Sequence, residues 1–177
     1  MVTGLVIPQI VLSDAADVLP GRIAAMRPEF FSFLIAFFVL AAFWLAHHRQ
    51  FHAVRTVDTG LVHITLLILA CVVLMPFTTN ISGDYSDVPI AVGLFHVNML
   101  CIGLLFLVHW IYLVRHPALT EDGISRRAAV NGTRRASVVP LVSAAGIGIS
   151  FANPSLSMAV YLLIIPAFAV LRRYFTA

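Results

Sequence analysis

The sequence predicts an all-α fold, a polytopic membrane helical bundle with five full transmembrane helices and a partial N-terminal one. Three observations carry that expectation. Of 177 residues, 60% are hydrophobic and only 11% are charged, where a soluble domain carries charge on roughly a quarter of its residues. The mean hydropathy is +0.98, and the apolar residues form long uncharged blocks instead of an alternating pattern. The basic residues fall between those blocks, which suits orientation in a bilayer better than a nucleic-acid-binding face. The whole chain, 1–177, reads as a single membrane domain with a partial helix at 1–12 and spans at about 30–48, 60–79, 88–115, 136–152 and 155–172.

Each element follows from the need for about 20 mostly apolar residues to cross the hydrocarbon with every backbone group paired internally. Met1 to Leu12 is apolar but short, contains Pro8 and is followed by Ser13 and Asp14. It lacks the basic start of a signal peptide and reads as the second half of a span. The next run starts at Phe30 and ends on the cluster His47, His48 and Arg49. The following run, from Leu61 to about Thr79, contains Pro76, a tolerated kink. The longest, from Val88 to Val114, closes on Arg115 and His116 and is long enough to tilt. Leu119 to Arg135 reads as a hydrophilic linker. The last two runs are separated only by Asn153 and Pro154, which predicts a tight helical hairpin. Cys71 and Cys101 lie inside apolar runs without paired spacing and read as packed thiols, not as a zinc or disulfide framework.

Loop charge gives one consistent topology. Arg49 and Arg55, then Arg115, Arg126, Arg127, Arg134 and Arg135, then Arg172 and Arg173 mark three connections as cytoplasmic. The loop from Asn80 to Asp87 carries Asp84 and Asp87 and no base, and the turn at Asn153 is uncharged, so both face outward. The C-terminus is therefore expected inside, and a complete first helix would start in the cytoplasm.

An ionisable group inside the membrane is costly enough to be a site candidate by default. The apolar runs contain no Asp, Glu, Lys or Arg, so a proton relay, a voltage sensor or a charge-coupled carrier has nothing to work with. Histidines remain. Trp44 and His48 stand at i and i+4, on one helix face; with His47 they form either an interfacial anchor or a hydrogen-bonded clamp between helices. His96 and His109 are about 20 Å apart on one helix, and Asn98 lies between them. Core histidines bonded to Asn98 or to backbone are the plainer reading. Haem ligation by His109 and His63 is the rival from a different class. The small residues Ser143, Ala144, Ala145, Gly146, Gly148 and Ser150 suit close helix packing. No phosphate loop, nucleophile elbow or carbonyl selectivity loop appears, and no enzymatic activity is expected.

Several of these residues, in order, resemble the transmembrane protein 175 family of potassium channels. The resemblance rests on Phe43-Trp44-Leu45-Ala46-His47-His48-Arg49-Gln50-Phe51 and on Leu74-Met75-Pro76-Phe77-Thr78-Thr79 with Gly83 and Tyr85, then on Asn98 and Trp110. It spans about Thr3 to Trp110; beyond Ala136 only hydropathy agrees. The resemblance implies a homotetramer of six-helix subunits whose first helices line a central pore, with selectivity set by a ring of bulky apolar side chains. It implies Thr3, Val6, Ile7 and Ile10 as pore-facing positions, and Trp44, His47, His48 and Asn98 as an inter-helix polar clamp. The family's Phe-Ser-Asp and main constriction would align upstream of Met1. On this reading the protein is a passive potassium-selective channel subunit of a bacterial inner membrane, multi-pass, with potassium as permeant ion, the lipid bilayer as surroundings, no cofactor, no metal and no nucleic acid. A truncated, non-conducting remnant or accessory subunit is the further alternative.

Overall fold

The computed structural model describes residues 41, 43–121 and 123–163. The chain divides into two compact units, Met1–Trp44 and Leu45–Ala177. The architecture below is that of the second unit. The expected partial helix at 1–12, with Thr3, Val6, Ile7 and Ile10, lies outside the described residues, as does most of the span expected from 30 to 48.

Helix α1, described over 43–51, closes with the His52 N–H donating to the His48 carbonyl at 3.0 Å. The chain then turns back: the Arg55 N–H donates to the Leu119 carbonyl at 2.7 Å, and Val54 pairs with Thr120 in an isolated antiparallel bridge. Buried Leu61, Leu113 and Leu119 pack here with Phe51, Val54, Tyr112 and Ile124 around them. The connection after α1 and the one after residue 115, which loop charge assigned to the same side, are therefore joined at one end of the bundle.

Helix α2, Thr59–Val73, starts on the Asp58 carboxylate, which accepts from the Leu61 N–H at 2.8 Å. Such a cap satisfies one of the orphan donors of a first turn. A break at Leu74 separates it from α3, Met75–Asp84, with Pro76 in the first turn. Proline lacks the N–H and crowds the carbonyl four residues earlier, so the apolar run continues in two helical pieces. Helix α4, Pro89–Arg115, spans 27 residues, about 40 Å at 1.5 Å per residue.

Helix α4 is the hub, packed against α2, α3 and the helices that follow it. Its buried residues include Val92, Phe95, His96, Met99, Ile102, Gly103, Phe106, His109 and Leu113, the i, i+3, i+4, i+7 stripe of a helix packed along one side. By contrast Val62, Leu66, Leu67, Leu69 and Val73 of α2 are exposed, the composition of a lipid-facing surface. Cys101 on α4 is also exposed, so it is not the packed thiol the sequence suggested.

Helix α5, Arg126–Ser150, starts well before the apolar run expected from 136. Ser125 caps it by accepting from the Ala128 N–H at 3.2 Å, and arginine and alanine are good helix formers. Hydrophilicity located the segment in water without making it a loop. Asn153 then caps α6, Pro154–Ala159, by accepting from the Leu156 N–H at 3.0 Å, with Pro154 in the first turn. A 3-10 turn, Val160–Leu163, follows. The turn expected at Asn153–Pro154 thus joins α5 to α6, and residues 164–172 of the expected second arm lie outside the described residues.

Among the described residues two helical stretches, Thr59–Asp84 and Pro89–Arg115, are long and apolar enough to cross a membrane. The described part of the chain is all-helical apart from the single bridge, and it does not reach the expected count of five spans. Helix α5 falls short because its apolar part is brief and diluted by Ser137, Pro140, Ser143, Gly146, Gly148 and Ser150.

Where α4 and α5 cross, Gly103 faces Pro140. A Cβ built at Gly103 would stand 2.8 Å from the Pro140 Cδ and 2.9 Å from its backbone nitrogen. The contact is therefore backbone against proline ring, the close approach that small residues allow in membrane bundles.

Candidate functional site

Buried polar side chains occur at three levels along α4, each facing a different neighbour. At the first, His96 is fully buried and hydrogen-bonded through both ring nitrogens. The Ser157 hydroxyl donates to the Pro154 carbonyl at 2.5 Å. Its oxygen therefore accepts from His96 Nε2–H, at 2.8 Å. That fixes the tautomer: Nδ1 is the acceptor, and the Tyr161 hydroxyl donates to it at 2.8 Å. Ser143 Oγ lies 3.4 Å from the same phenol oxygen. The imidazole and phenol rings stack at 5.4 Å. Gly146 makes room, since a Cβ there would stand 2.7 Å from the imidazole. His96 is thus a satisfied neutral group tying α4 to α5 and to α6.

At the second level, Asn98 reaches the other way. Its Nδ2 donates to Thr78 Oγ1 at 3.3 Å and approaches Met75 Sδ at 3.5 Å, while Thr78 Oγ1 donates to the Met75 carbonyl at 3.1 Å. This joins α4 to the first turn of α3, where the break at Leu74 has interrupted regular helix bonding.

At the third level, His109 is fully buried. Its ring stacks on Phe51 at 5.2 Å and lies 5.9 Å from His47, whose ring is tilted against Phe51 at 4.3 Å. Gln50 Nε2 donates to the Phe106 carbonyl at 3.2 Å. Neither ring nitrogen of His109, nor His47 Nε2, nor Gln50 Oε1 has a hydrogen-bond partner among the described residues. Two buried histidines on one helix therefore have opposite energetics. Replacing His109 by leucine removes an unpaired polar group and is expected to leave stability unchanged or raise it by about 1 kcal/mol. Thermal unfolding in detergent checks this; a large loss would mean that the imidazole is paired.

Of the four residues read as a clamp, Trp44, His47 and His48 stand on α1 and Asn98 on α4. Trp44 is 64% exposed, and the His48 ring lies 5.0 Å from that of His52. The α4 residues beside His47 are Phe106 and His109. Asn98, about 16 Å further along α4, meets α3. His63 is exposed on α2 while His109 is enclosed by aromatic rings. No group of three or more His, Cys, Asp or Glu that could hold a metal ion occurs among the described residues. The sequence reading did not single out Ser157 and Tyr161 as partners of His96. Their signal was polar residues at i and i+4 in an otherwise apolar run.

At the end of α4 the Tyr112 hydroxyl donates to Asp58 Oδ2 at 2.6 Å. That bond, and then the Leu61 N–H, hold the Asp58 carboxyl below its ordinary value of 3.8. A carboxyl with a depressed folded value stabilises the fold above its unfolded value, and the contribution is lost as pH falls through the folded one. Acid unfolding should therefore begin below about pH 4 for this group, and Asp58→Asn should flatten that limb of the pH–stability curve. An unchanged acid limb would show that the carboxylate carries no such linkage.

Residues 1–76 match the profile of a family described as the endosomal/lysosomal potassium channel TMEM175. A potassium channel of Streptomyces collinus is 25% identical over 153 residues, covering 84% of this chain and 74% of that protein. Over its first 76 residues the chain is thus similar to the TMEM175 channel family. An endosomal/lysosomal proton channel TMEM175 of Gallus gallus is 28% identical over 92 residues, and its human counterpart 28% over 96 residues. Those alignments cover 18% and 19% of the two animal proteins, so the likeness extends to a small part of each. The matched family and these relatives are all described as ion channels. The TMEM175 match takes in α1 and α2, where the Trp44-His47-His48 cluster and the Asp58 cap lie.

Proposed function

We propose that this protein is a subunit of a passive cation channel of a bacterial inner membrane, with potassium as its permeant ion. The observation that carries the reading is the likeness to the Streptomyces potassium channel over most of both chains. The two long apolar helices support it, because their interiors carry no fixed charge on which coupled transport would depend. In this reading the protein is a homotetramer with Thr3, Val6, Ile7 and Ile10 facing the pore. Trp44, His47, His48 and Asn98 hold neighbouring helices together from the surrounding scaffold. The joined basic connections lie in the cytoplasm with the C-terminus. Protein reconstituted in potassium-loaded vesicles should dissipate a potassium gradient without an energy source. The animal relatives are named proton channels, so a pH-sensitive dye in the same vesicles separates the two ions. Proton flux without potassium flux would replace potassium as permeant, and no flux of either ion would remove the channel reading.

A further inference from the structure

Where α4 ends beside the first turns of α5, an open cleft of about 390 Å³ is lined by Trp110, Ser125, Arg127, Asn131 and Arg135. We propose that it binds the phosphate of an anionic phospholipid headgroup. The inference depends on the chain being a membrane protein and not on which ion it conducts.

These polar residues share one cleft for a structural reason. Arg127, Asn131 and Arg135 stand at i, i+4 and i+8 on α5, and therefore along one side of the helix. Two arginines and an asparagine thus border one cleft, and none of its described lining residues is a carboxylate. Guanidinium forks match phosphate oxygens in geometry as well as charge. The floor is rigid: Trp110 Nε1 donates to the Ala129 carbonyl at 3.2 Å, and a Cβ at Gly132 would collide with the indole ring. The indole is therefore seated on the α5 backbone beneath the arginines.

Depth singles out the lipid. Trp110 lies five residues before the end of α4, about 7–8 Å inside it, the depth at which tryptophan rings settle at the headgroup level. Arginines at such a boundary extend their charged ends toward lipid phosphates while their stems stay in apolar surroundings. Basic pockets between membrane helices are a recurrent headgroup site. A free phosphate would meet the same donors without needing the interfacial indole.

The test compares thermal unfolding of the whole protein in nanodiscs of phosphatidylcholine alone and of phosphatidylcholine mixed with phosphatidylglycerol. The wild type should melt several degrees higher in the mixed discs. Arg127→Gln with Arg135→Gln should abolish the difference, whereas Arg49→Gln with Arg55→Gln, which removes the same charge elsewhere, should keep it. Equal loss in both pairs would reduce the effect to general surface charge and overturn the proposal. The same rise from inorganic phosphate in phosphatidylcholine discs would overturn the lipid assignment. If the double variant does not fold, Arg127→Gln alone should retain fewer phosphatidylglycerol adducts in native mass spectrometry; equal retention would overturn the site.

Discussion

Replacing His96 by leucine is expected to cost about 2–4 kcal/mol of stability. The imidazole is fully buried and bonded on both sides, so its loss deprives Tyr161 of its acceptor and leaves a polar gap between three helical elements. Two features bound the damage. Ser157 keeps its bond to the Pro154 carbonyl, and the Tyr161 hydroxyl retains Ser143 Oγ as a neighbour at 3.4 Å. Tyr161→Phe should therefore cost less, and the double variant should cost less than the sum, as expected for residues in one network. Thermal unfolding in detergent measures all three. Strict additivity would show that the pair is not coupled in solution.

A second loss is expected for Gly103→Ala. A single methyl added there would press on the Pro140 ring and on its backbone nitrogen, and backbone cannot move aside as the end of a flexible side chain can. Helices α4 and α5 would have to separate along their crossing, with a cost of about 1–3 kcal/mol from overpacking. Gly148→Ala on the same α5 is the control, because nothing lies within 4 Å of a Cβ there; it should be neutral or slightly stabilising through helix propensity. Equal tolerance at both glycines would contradict the crossing geometry.

These two positions also show how far the sequence could be read. Helix α4 was legible almost to the residue, from Val88 to Arg115, because an uninterrupted apolar run closed by a charge determines a membrane helix. The turn at Asn153–Pro154 was legible because capping and proline chemistry act locally. Gly103 against Pro140 was not, since nothing local says which glycine meets which proline across two helices. The start of α5 was missed because hydropathy reports solvent, whereas the Ser125 cap and the arginine–alanine turns determine conformation.

The polar residues followed the same division. Their placement in apolar runs singled out His96, Asn98 and His109 before any geometry was available. Partner choice depended on helix rotation. His96 turned toward Ser157 and Tyr161 instead of Asn98, Asn98 toward Thr78, and His109 toward His47 and Phe51. The pairing of the two basic connections through Arg55 and Leu119 was anticipated only as a shared side of the membrane.

The central claim is passive cation conduction, and the reversal potential of the purified protein in a planar bilayer under a potassium chloride gradient tests it most directly. Passive potassium conduction would give a current in the absence of any energy source, reversing near the potassium equilibrium potential and unaffected when chloride is replaced by a large anion. Absence of current, or reversal near the chloride potential, would contradict it.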